Sequence, residues 1–129
     1  MATVTFVEES EAQPEVRAIF QEIKQTFGLP FVPNLFRAMA HNPVYLGTTW
    51  ARIRGIMGQG VLDRRTKEMI AVAVSAVNNC EYCVNAHTAA LRRLGVTDAE
   101  LVELMAVVDL FSGLTKFLDG LRVESDLRP

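Results

Sequence analysis

The sequence predicts an all-α protein of about six or seven helices, and three observations carry that expectation. Apolar residues recur at the 3.6-residue helical period almost from end to end. Residues that start and stop helices bracket these periodic runs. No stretch makes a convincing strand, and there is neither an internal repeat nor a low-complexity linker.

Residues 1–13 read as an N-terminal arm. In the first helical segment Val16, Ile19, Phe20, Ile23 and Phe27 share one face, with Pro14 near the start and Gly28 just past the end. The linker "LPFVPN" holds Pro30 and Pro33, which favour extended backbone. Asn34 is placed to cap a short helix that stops before Pro43. Asn42 is placed to cap the next helix, with Pro43 at its first position, running to about Met57 and ending at Gly58 or Gly60. Trp50 in that helix reads as a core or interface anchor. Asp63 caps a helix through "RRTKEMIAVAVSAVNN". Met69 to Val77 carries no charge, so this helix is expected to be buried on most sides. Its valines also suit a strand, but the length, the alanines and the cap favour helix. The next helix carries "CEYCVNAHTAALRRLG" and ends at Gly95. Thr97 and Glu100 form a capping box for the last helix, which Gly113 is expected to break or kink and which fades after Leu121. Residues 122–129 read as a loose tail. His41, in "AHNP", reads as a structural contact to helix-terminal carbonyls.

A length of 129 residues suits a single domain, 1–129, with one core. A chain this short has few layers to cover an apolar helix, so a homo-oligomer is expected to cover one face. Half of the residues are apolar and 22% are charged, which excludes disorder. A formal net charge of −2 with no Lys/Arg stripe gives no basis for nucleic-acid binding. The apolar runs fall far short of the ~20 residues of a membrane span. The start lacks a basic segment followed by a long apolar one, so the expected location is cytoplasmic. In a reducing cytosol a close cysteine pair is more often catalytic or metal-binding than structural.

Both cysteines and one of the two histidines fall within "NNCEYCVNAH". On a helix Cys80 and Cys83 share a face with Cβ atoms ~5–6 Å apart. A disulfide needs ~3.5–4.5 Å, a small adjustment at a helix start. His87 is one turn beyond Cys83 on the same face, where an imidazole favours the thiolate. The helix dipole favours Cys80 as nucleophile and the imidazole favours Cys83, so spacing leaves the choice open. Glu68 is the last charge before the apolar run. It is either a solvated first-turn residue or a buried partner that fixes the His87 tautomer. Three alternatives accompany the redox reading. One cysteine can be simple core packing. C-x2-C-x3-H with Glu68 also has zinc-ligand chemistry, but three ligands on one helix surround a tetrahedral ion poorly, and no metal is expected. A thioredoxin-like fold lacks its βαβ context. No Gly-rich phosphate loop or dinucleotide fingerprint is present, so no cofactor is expected.

Glu68 followed by Cys80-x-x-Cys83-x-x-x-His87 resembles the alkylhydroperoxidase D family, within the wider carboxymuconolactone decarboxylase superfamily. The phrase "DRRTKEMIAVAVSAVNNCEYCVNAHTAALRRLG" reads like that family's core over about Leu62 to Gly95. The resemblance implies an AhpD-like helical fold that assembles as trimers or hexamers, and an antioxidant peroxidase. In the implied chemistry Cys83 attacks a hydroperoxide, Cys80 condenses with the resulting sulfenic acid, and Glu68 and His87 relay the proton. An external dithiol or disulfide reductase then restores the thiols, entering through Cys80. The best-known members carry a histidine directly before the second cysteine. Here Tyr82 stands there and reads as a pocket-lining residue, so one proton carrier is missing. The decarboxylase branch does not rely on the cysteine pair, so the pair argues against lactone decarboxylation. The competing functions are a general thiol-disulfide oxidoreductase serving a partner peroxidase, and a non-catalytic redox-sensing helical oligomer.

Overall fold

The computed structural model describes residues 1–129, with six helices and no strand. They are α1 (Pro14–Phe27), α2 (Asn34–Met39), α3 (Pro43–Met57), α4 (Arg64–Val77), α5 (Glu81–Arg93) and α6 (Asp98–Leu121). By their contacts the residues fall into two units, Met1–Gly60 and Val61–Pro129.

In Met1–Gly60, α1 and α2 both pack on α3. The periodic face of α1 supplies Val16, Phe20 and Ile23 to a core completed by Ala12, Val32, Phe36, Ala40, Leu46 and Trp50. Trp50 is the anchor expected of it. Its ring meets Phe27 and Phe36 edge-on at centroid distances of 5.5 and 5.7 Å, a favoured aromatic geometry. Its indole N–H donates to Glu22 Oε2 at 3.0 Å, so the buried ring leaves no orphan donor. The N-terminal arm is tied to α2. Val7 N–H donates to the Arg37 carbonyl, Arg37 Nε donates to the Val7 carbonyl, and Arg37 also pairs with Glu8.

Two expectations in this unit change. Pro33, not Asn34, is the flanking residue of α2. Its ring holds φ at −57°, and its carbonyl accepts from Phe36 and Arg37 N–H. Asn34 is already helical, and its Oδ1 accepts from Arg37 instead. His41 contacts the Thr5 carbonyl in the arm at 2.9 Å, not the end of its own helix. Asn42 caps α3 as expected, with its side chain accepting from Tyr45 N–H.

In Val61–Pro129, α4 packs chiefly on α5 and also on α6. Val72, Leu91 and Val96 form a small core, flanked by Met69, Leu101, Leu104 and Met105. Arg65 of α4 pairs with Glu100 of α6. The Thr97–Glu100 capping box is present in full. α6 runs unbroken through Gly113, so the break expected there does not occur. Glycine lowers helix propensity by about 1 kcal/mol but keeps its N–H, so the hydrogen-bond ladder continues. The expectation that α4 is buried on most sides is not met within one chain. Ile70, Val74 and Val77 are 49%, 53% and 60% exposed. No helix is long and apolar enough to cross a membrane.

Candidate active site

Asp63 caps α4, its Oδ1 accepting from Thr66 N–H at 2.7 Å. Glu68 follows four residues into the helix. It is 2% exposed, the only charged or polar residue in the buried set. A carboxylate in that position requires partners, and it has two. Oε1 accepts from Arg64 Nε at 2.9 Å, and Oε2 meets His87 Nδ1 of α5 at 2.6 Å. An ionised carboxylate has no proton to give, so Nδ1 is the donor and Nε2 of a neutral imidazole carries the free lone pair. Burial pushes the Glu68 carboxyl up, but the hydrogen bonds from His87 and Arg64 outweigh it. The group is held below its ordinary value.

The link between α4 and α5 is short and specific. Asn78 closes α4, and Asn79 takes a left-handed conformation at φ 56°, which asparagine tolerates better than most side chains. The chain then reverses, and Cys80 N–H donates to the Ser75 carbonyl at 2.9 Å. Cys80 is the flanking residue of α5, and its Sγ accepts the N–H of Cys83 at 3.3 Å. That is the dipole position read from the sequence. The two cysteines are joined as a disulfide with Cα atoms 5.3 Å apart, within the normal range. Gly95, at φ 82°, adopts the left-handed conformation just past α5, and the Val96 N–H returns to the Leu91 carbonyl.

Glu68 and His87 are thus in contact, and Cys83 lies one helical turn before His87 on α5. The solvated reading of Glu68 is excluded by its burial. Tyr82 lies in the first turn of α5, half exposed. No group of three or more His, Cys, Asp or Glu side chains is arranged to hold a metal ion. Sequence reading missed Arg64. Its signal was the i,i+4 spacing to Glu68, which permits a helical ion pair.

Residues 45–124 match the model of the carboxymuconolactone decarboxylase family, so the chain belongs to that family. Within it the chain is alkylhydroperoxidase D-like. It superposes on the crystal structure of an alkylhydroperoxidase AhpD core from Rhodospirillum rubrum with a TM-score of 0.92 and 39% identity, covering 98% of this chain and 95% of that one. An alkyl hydroperoxide reductase AhpD of Methylocella silvestris is 35% identical over 89 residues, 68% of this chain and 49% of its own. Uncharacterized protein 4 in the cox locus of Paracoccus denitrificans is 40% identical over 52 residues, 40% of this chain and 47% of its own. The chain spans about half the length of these two curated relatives.

Proposed function

We propose that this chain is a peroxidase that reduces hydroperoxides through the Cys80–Cys83 pair, with Glu68 and His87 as its proton relay. The observation that carries this reading is the buried Glu68 carboxylate of α4 on His87 Nδ1 of α5, together with the C-x-x-C disulfide at the start of α5. In the reduced protein His87 Nε2 takes the Cys83 proton. The Cys83 thiolate attacks the distal oxygen of ROOH, the O–O bond breaks, and the alkoxide leaves as ROH with the relayed proton. Cys83 becomes a sulfenic acid. Cys80 attacks its sulfur, water leaves, and the disulfide forms. An external dithiol or disulfide reductase supplies two electrons and two protons to reopen it, attacking Cys80. Tyr82 flanks the nucleophile, where it would line the peroxide's approach.

The protein is proposed to work in the cytosol as one domain, and as a homo-oligomer. The support for assembly is the uncovered apolar face of α4 and the exposed Leu110, Phe111, Leu114, Phe117, Leu118 and Leu121 of α6. Sedimentation velocity tests this, and a monomer at micromolar concentration would overturn it.

Thiol titration before and after one equivalent of tert-butyl hydroperoxide tests the chemistry. Rapid loss of two thiols, abolished in Cys83→Ser, is expected. A protein that keeps its thiols under peroxide, yet exchanges readily with disulfides, would be a general thiol-disulfide oxidoreductase. The absence of a histidine at Tyr82 favours that second reading. A protein that turns over neither peroxide nor disulfides, and whose assembly changes with the oxidation of Cys80 and Cys83, would be a non-catalytic redox-sensing oligomer.

A further inference from the structure

Arg64 stands where local helix physics disfavours a cation. It is the first residue of α4, at the positive end of the helix dipole. It also precedes its carboxylate partner, the weaker order for an i,i+4 pair. A residue that breaks two local preferences points to a role outside helix stability. Its Nε nonetheless holds one oxygen of the buried Glu68 at 2.9 Å, while His87 holds the other at 2.6 Å. The Arg64 side chain is itself 45% exposed. Of the charged groups on the elements packed around α4, His87 of α5 faces Glu68. Glu100 of α6 is engaged by Arg65 and by the Thr97 cap. The carboxylate therefore has one fixed positive charge, and Arg64 supplies it.

We propose that Arg64 is a positioning residue for the redox site: by holding Oε1 it keeps Glu68 ionised and turned so that Oε2 fixes His87 in its Nδ1–H form. The inference rests on the relay described under the proposed function. Without Arg64, the carboxyl remains buried with a single partner and takes up a proton at higher pH. A neutral Glu68 no longer demands the Nδ1 proton, so Nε2 loses its standing as base for Cys83. The visible consequence is on the acid side of the activity profile.

The test uses the full chain as wild type, Arg64→Gln and Arg64→Lys. The carbon-13 shift of the Glu68 carboxyl is followed against pH in the reduced protein. In parallel, the rate of thiol loss with tert-butyl hydroperoxide is measured over the same range. In Arg64→Gln the Glu68 midpoint and the acid limb of the rate are expected to rise together by about one pH unit. The high-pH plateau is expected to stay within about twofold of wild type, and Arg64→Lys should recover most of the shift. An unmoved Glu68 midpoint, or a rate lowered equally at every pH, overturns the proposal. If Arg64→Gln does not fold, Arg64→Met, which also removes the charge, takes its place: a rise in both quantities supports the proposal, and a wild-type profile overturns it. A wild-type protein that consumes no peroxide defeats the peroxidase reading, and the carboxyl titration still decides the role of Arg64.

Discussion

In Met1–Gly60 the nine residues of the buried core are all apolar, and they close around the Trp50 ring. In Val61–Pro129 the buried set is Val72, Leu91, Val96 and the carboxylate of Glu68. The first unit is held as hydrophobic cores usually are, by area removed from water and by aromatic edges on faces. The second contains a charge, and a charge out of water is tolerated only while its partners stay in place. It also leaves much of its apolar surface uncovered. Beyond Met105 no side chain of α6 joins the small core, and the far half of the helix is exposed all round. Burial and chemistry are thus divided. One unit places its large side chains for packing, while the other gives up core volume to hold an ionised carboxylate against an imidazole.

That contrast can be broken or sharpened by experiment. The largest effect belongs to the aromatic core. Trp50→Ala should lose about 3–5 kcal/mol in urea unfolding, since a fully buried ring leaves a cavity. A loss below about 1 kcal/mol would mean that Trp50 does not anchor the unit. Next comes Glu68→Gln, which keeps the shape and removes the charge. The peroxide reaction should slow about a hundredfold, equivalent to about 2.7 kcal/mol of barrier. Its stability should change far less, because His87 and Arg64 are part-exposed and reach water when unpaired. Full activity in this variant would remove Glu68 from the relay.

Smaller effects concern the edges of the second unit. Thr97→Ala removes the side chain that accepts Glu100 N–H at 3.2 Å, and should cost about 1 kcal/mol by thermal or urea unfolding. The smallest effect is on acid stability. The folded Glu68 carboxyl lies below its ordinary value of 4.5, so its stabilising contribution is complete above that value. The contribution is lost as pH falls through the lower, folded value. Wild type should therefore lose stability more steeply than Glu68→Gln in that acid window, and in parallel with it near neutrality. Equal slopes in acid would mean that burial and partnering cancel at this carboxyl.

Much of this was legible in the order of residues. The start of α4 at Asp63, the capping box of α6, the ends of α1 and α5 at glycines and the anchor role of Trp50 follow from local rules. Each rests on contacts within a few residues or on a strong periodic face. The failures have equally local causes. Asn34 is a better cap by composition than Pro33, but Pro33, with an extended ψ of 144°, takes the flanking position and its carbonyl accepts the first N–H groups of the helix. Gly113 is a weak breaker, because it still donates its N–H.

The sequence by itself determined the helices, most of their caps, and the placing of one cysteine at the start of α5 with the other one helical turn before the imidazole. Those properties depend on spacing along a single helix, which the chain carries wherever it folds. Only the tertiary structure decided that Glu68 is inside rather than in solvent, that its two oxygens are divided between Arg64 and His87, and that one chain leaves a face of α4 bare. These depend on how α4 lies against α5 after the turn at Asn79, and no periodicity within either helix encodes the distance between them.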